Sequence, residues 1–180
     1  MKVHEYLTIV AILAGSIPVF AQSKVYKSPH KELQVLIIPV GEKGDEAYES
    51  RIEIRTSRGR LMRQRSFASQ DHNHGEGVGH AEWTSDGQFF VFNTFSSGGH
   101  QPWHVATYFY RVKDNRVYSF DMFVGSITSD FTLEGRDTLV TTRFDFDKKK
   151  EKEPVRIKLG TLMLRRTVFS RRLSVQTTAR

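Results

Sequence analysis

A chain of 180 residues with 38% apolar and 12% aromatic content amounts to about one domain with material for a packed core, which excludes disorder over its whole length. It has no cysteine, so neither a disulfide framework nor a lipid-anchored thiol is open to it, and stability rests on packing. The net charge of +7 averages two unlike parts: residues 22–147 hold 15 Lys and Arg against 17 Asp and Glu, a net −2, whereas residues 148–180 hold 11 against 2, a net +9.

In chain order, Met1-Lys2 leads into the apolar stretch Tyr6 to Phe20, which ends in Val19-Phe20-Ala21. That pattern predicts an export signal cut after Ala21, and so a periplasmic or secreted protein. Beyond it, alternation and turn chemistry predict strands at 33–40, 51–57, 60–67, 80–83, 88–95, 103–112, 116–121, 138–146 and 155–164. Ser57-Arg58-Gly59, Ser85-Asp86-Gly87 and Lys113-Asp114-Asn115 are tight-turn sequences between them. No stretch carries a helical stripe, and the expected fold class is all-β.

A displacement of 56 residues superposes one half of the pattern on the other. Leu33 and Val35 fall on Phe89 and Val91, Ile52 and Ile54 on Tyr108 and Tyr110, and the turn residue Gly59 on Asn115. Fixed-period self-similarity of this kind marks repeated units. Each unit reads as a four-stranded antiparallel meander, about 25–80 and 81–136, followed by an extra hairpin at 137–164. These form a single domain, 22–164, with a basic tail at 165–180.

The segment Ala81-Glu82-Trp83-Thr84-Ser85-Asp86-Gly87-Gln88-Phe89, followed by Tyr108-Phe109-Tyr110 and Asn115-Arg116-Val117-Tyr118, resembles a blade of the WD40-like and TolB-type β-propellers. The resemblance covers residues 81–121 well and 25–67 loosely, and it implies a fold without implying an activity. The stretch Ser97 to His104 is similar to one in exported bacterial proteins. Closure of a propeller takes at least four blades, and the 159 residues after Ala21 supply two units and part of a third. The expected architecture is therefore an open or sandwich-like packing of blade-like meanders, the partial unit covering an edge, or an oligomer that completes the ring; a closed monomeric propeller is excluded.

In such a meander, connections alternate between the two ends of the strands. The link 70–79 and the loop 96–102 then share one rim, which gathers five of the seven histidines. Gly75, Gly77, Gly79, Gly98 and Gly99 would let its backbone take positive φ or approach a ligand closely. The candidate ligand-binding residues are His72, His74, Glu76, His80, His100, Gln101, Trp103 and His104, where imidazoles and an aromatic ring suit a small ligand, a glycan or an envelope protein. The alternative is a divalent transition metal such as Zn²⁺ held by Asp71, His72, His74, His100 and His104, with hydrolysis as its chemistry, although the spacing is that of no standard zinc motif. The bland reading has the same loops merely capping the sheets, with His side chains satisfying buried carbonyls, Pro102 stiffening the loop and Trp103 packed in the core; Trp83 reads as core in any case.

Catalysis finds little support, since there is no G-x-S-x-G elbow, no cysteine nucleophile and no P-loop or dinucleotide fingerprint. The balanced body offers no uniformly basic face for nucleic acid. Lys148 to Glu153 reads as a solvated hairpin loop, and the tail beyond Leu164 as a disordered end or a peripheral contact with anionic membrane. Deleting residues 165–180 should leave folding intact.

Overall fold

The computed structural model describes residues 23–41, 49–98, 104–145 and 150–162. It is built from three antiparallel sheets, none closed into a barrel. The first contains β1 (Lys24–Lys27), β2 (Leu33–Val40), β3 (Glu49–Thr56) and β4 (Leu61–Ser66) in that order. The second runs β5 (Glu76–Trp83), β6 (Phe89–Ser96), β7 (Thr107–Arg111) and β8 (Arg116–Ser119). A short helix, α1 (Asp121–Val124), leads to the third, in which β10 (Thr138–Asp145) lies between β9 (Thr132–Glu134) and β11 (Lys150–Lys158). Among the described residues no helix is long and apolar enough to cross a membrane.

The middle sheet is buried on both faces, and the sequence of β6 is the reason. A strand covered on one face alternates, whereas one covered on both reads as a continuous apolar run. Phe89-Phe90-Val91-Phe92 is such a run, and each of the four is at most 5% exposed. Phe90 and Phe92 pack with Val35, Ile37, Ile52 and Ile54 of the first sheet. Phe89 and Val91 pack with Leu139, Ile127 and Phe131 of the third unit. The third unit thus covers the free face of the middle sheet instead of an edge, because Phe89 and Val91 point away from the first sheet and need cover.

The 56-residue spacing has a geometric counterpart. In the β1–β2 turn, Ser28 N donates to Leu33 O at 2.9 Å, Lys31 N to Ser28 O at 2.8 Å and Leu33 N to Ser28 Oγ at 3.1 Å. In the β5–β6 turn, Thr84, Gly87 and Phe89 make the same three bonds at 2.9, 2.9 and 3.1 Å. The third turn residue is left-handed in both, Lys31 at φ 58° and Gly87 at φ 65°. The repetition loosens at the next hairpin. Val35 faces Ile54, but Val91 faces Phe109 where a strict repeat would give Tyr110.

Strand ends depart from expectation in several places: β7 starts at Thr107 and not near 103, and β8 ends at Ser119, before the helical turn at Asp121. β5 starts at Glu76, four residues early, because a bulge at Gly79-His80 opposite Asn93 lets a glycine-rich segment stay paired. β11 begins at Lys150, and the backbone at 159–162 is helical where the sequence pattern predicts continued strand. The short strands β1 and β9 carry too few apolar residues for alternation to reveal them.

Candidate functional site

Antiparallel order brings the start of β5, the end of β6, the start of β7 and the end of β8 to one end of the middle sheet. The loop 67–75 meets Ser97 and Gly98 there. Ser97 N donates to Gly75 O at 3.0 Å, and a Cβ on Gly98 would lie 2.8 Å from Asn73 O.

The anchor of this rim is Glu49, the first residue of β3 and fully buried. Its carboxylate accepts from Ser69 N (2.8 Å), Ser69 Oγ (2.7 Å), Gly75 N (2.5 Å) and Ser97 Oγ (2.9 Å). Burial pushes this carboxyl up, yet the bonds from Ser69, Gly75 and Ser97 outweigh it and hold the group below the ordinary glutamate range. One side chain thereby pins both loops to the first sheet. The glycines serve this packing: none of Gly75, Gly77, Gly79 and Gly98 has positive φ, and His72 at φ 57° does. A Cβ on Gly75 would stand 2.5 Å from the Phe67 carbonyl and 2.5 Å from the Glu49 carboxyl carbon. Gly75→Ala should therefore lower stability by roughly 1–3 kcal/mol, read as the urea midpoint; an unchanged midpoint would mean the backbone there has room to give.

The histidines of the rim mostly have their own carboxylates. His74 Nδ1 lies 2.5 Å from Asp71 Oδ2, and Asp71 also accepts from Asn73 N and Ser69 Oγ. Those bonds, Asn73 N foremost, hold Asp71 far below the usual carboxylate range. His72 Nδ1 is 3.6 Å from Glu49 Oε2. His80 stands apart, on the bulge of β5 facing the third unit. Its Nδ1 is 3.0 Å from both oxygens of Asp130, its ring stacks on Phe131 at 4.4 Å, and its backbone N–H donates to Asn93 Oδ1 at 2.8 Å. Asn93 Nδ2 and Phe131 N also donate to Asp130, so His80 belongs to a clasp between the second and third sheets. Among the described residues no group of three His, Asp or Glu side chains is placed to hold a metal ion. His100, Gln101 and Trp103 lie outside the described residues.

A second cluster at the rim involves residues that the sequence pattern does not mark. Asp121 opens α1, and its Oδ2 is 3.9 Å from His104 Nε2. Burial raises the Asp121 carboxyl to about 6 against the opposing pull of His104. Tyr108 of β7 stacks on Phe92 at 5.4 Å, and Arg65 lies over its ring at 4.6 Å. Burial first, then the charges of Glu76 and Asp121, raise the Tyr108 hydroxyl, so both carboxylates are within electrostatic reach of it. Two oxygens of this cluster, Glu76 Oε2 and Asp121 Oδ1, are buried without a hydrogen-bond partner among the described residues.

Of the predicted ligand-binding residues, the structure brings Glu76 and His104 to this cluster, sets His72 and His74 beside Glu49 and Asp71, and assigns His80 to the clasp. Glu49, Tyr108 and Asp121 are the residues missed. Comparison with protein-family models gives no match, and comparison with curated proteins gives none.

Proposed function

We propose that this protein is an exported, non-catalytic recognition module that takes its ligand at the rim of the middle sheet, on Glu76, Asp121, Tyr108 and His104. The observation that carries this reading is the pair of buried carboxylate oxygens, Glu76 Oε2 and Asp121 Oδ1, that lack a donor. Buried polar atoms are satisfied in the great majority of folded proteins, and one that is not calls for a ligand, water or strain. Acceptors call for donors, so the ligand class is one rich in hydroxyl or amine hydrogens, such as a neutral glycan or a polyamine. Tyr108, stacked on Phe92 and tilted against Phe67, offers an aromatic surface within electrostatic reach of both acceptors.

The test is calorimetric titration with a panel of neutral oligosaccharides and of diamines, on the native chain and on Glu76→Gln and Asp121→Asn. A ligand that binds the native protein should lose about tenfold in affinity, roughly 1.4 kcal/mol, in either variant. Its affinity should also change near pH 6, where Asp121 passes from hydroxyl donor to pure acceptor, and Asp121→Asn should remove that inflection. Binding that ignores both substitutions would defeat the proposal. A Zn²⁺ titration with His72→Ala and His104→Ala tests the metal alternative on the same protein.

A further inference from the structure

Away from those carboxylates, the third unit holds an open groove of about 520 Å³ bordered by α1, β10, β11 and the helical turn 159–162. Small-ligand sites occupy roughly 300–1,000 Å³, and this groove falls within that range. Its apolar lining is Phe123 and Val124 from α1, Val155 and Ile157 from β11, and Leu162 from the turn. Register explains why β11 contributes these two. Ile157 pairs with Leu139 and Val155 with Thr141. Leu139 is fully buried in the core of the third unit, and alternation along β10 and β11 gives Thr141, Val155 and Ile157 the same side.

The same alternation puts Arg143 on that side, and two contacts agree. Its Nη1 donates to the Val124 carbonyl at 3.2 Å, and its Cδ would lie 3.8 Å from a Cβ on Gly125. Arg156 and Lys158 also border the groove, but they alternate to the opposite face, where Arg156 pairs with Glu134. Arg143 is therefore the cation on the apolar side. Among the described residues no carboxylate pairs with it, and no Asp or Glu lines the groove. A half-buried guanidinium beside apolar side chains, with one carbonyl as its partner, has given up water without gaining an opposite charge, a state that an incoming anion relieves. One of its five N–H groups is spent on Val124, and enough remain for a carboxylate to accept two. Charge and lining thus call for one molecule with an anionic end and an apolar body.

We infer that this groove binds the free anion of a straight-chain fatty acid, its acyl chain against Val155, Ile157 and Leu162 and its carboxylate on the Arg143 guanidinium. The test is calorimetric titration of the full chain, below micellar concentrations, with octanoate, laurate and dodecyltrimethylammonium. Laurate should bind saturably and octanoate at least tenfold more weakly, because each buried methylene tightens binding by roughly fourfold. Dodecyltrimethylammonium, with the same chain and the opposite charge, should also be weaker by tenfold or more. Arg143→Gln should weaken laurate binding about tenfold, Arg143→Lys should recover most of that loss, and Ile157→Asp should remove binding. Absence of laurate binding, equal affinity for the cationic surfactant, or undiminished affinity in Arg143→Gln would each overturn the assignment. Two other occupants would do the same. A dimer in sedimentation velocity that Ile157→Asp dissolves would give the groove to a second copy of the chain. Laurate binding that emerges only in Val168→Asp with Phe169→Asp would give it to the chain's own C-terminal segment.

Discussion

Replacing Glu49 by alanine should cost about 3–5 kcal/mol of unfolding free energy at neutral pH. Hydrogen bonds to a charged group contribute roughly 1.5–3 kcal/mol each, and the four here share one acceptor and do not add in full. The substitution strands Ser69 N, Ser69 Oγ, Gly75 N and Ser97 Oγ, and it also frees the two rim loops from the first sheet. Glu49→Gln should fall between, because its amide turns a donor toward donors. The native carboxyl sits below the ordinary glutamate range, so its stabilisation is full above that range and is lost as pH falls through it. Urea midpoints measured from pH 7 to pH 3 should therefore converge between native and Glu49→Gln as acid is approached. Asp121 works in the opposite sense: its carboxyl is raised to about 6, so the stability linked to its proton is full in acid and declines as pH rises through that value. Parallel midpoints for native and Glu49→Gln across this range would show that the carboxylate does not carry the rim.

The second large effect lies in the middle sheet. Phe90 is fully buried against Tyr26, Trp83 and Phe92, and Phe109 is fully buried on the opposite face against Phe89, Tyr118 and Phe120. Truncation of either to alanine should cost about 3–5 kcal/mol. The stronger expectation is cooperative. Both outer sheets pack on the same four strands, so loss on either face should lower a single transition, seen alike by tryptophan fluorescence and far-UV circular dichroism. A biphasic transition in Phe109→Ala, with the first two sheets surviving the third, would instead mean that the units are stable separately.

The elements that the sequence reveals are those in which local chemistry and tertiary burial agree. β2 is expected and found at Leu33–Val40, with Val35 and Ile37 alternating into the core. The Ser85-Asp86-Gly87 turn closes where expected because Asp86 Oδ1 accepts from Gln88 N and Thr84 Oγ1, a local pattern that needs nothing distant. The first half of β5 is hidden because glycines argue against a strand, and what licenses them is close approach by remote residues: Asn93 against Gly79 within the strand, and Phe67 and Glu49 against Gly75 just before it. Site residues follow the same division. The histidine-rich loop is conspicuous in the sequence. Glu49 is not, standing fourth in a row of acids after Glu42, Asp45 and Glu46, and only its burial singles it out. Asp121 and Tyr108 depend on where α1 and β7 begin in space, which no spacing rule encodes.

The most direct test of the rim as a ligand site is a backbone amide shift map of isotope-labelled protein, recorded at pH 7 with the oligosaccharides and diamines in turn. The expected result is a saturable perturbation centred on Glu76, His104, Tyr108 and Asp121, with the clasp residues His80 and Asp130 little changed. Saturable shifts centred elsewhere on the sheets, or none across the panel, would contradict the assignment of these two carboxylates to recognition.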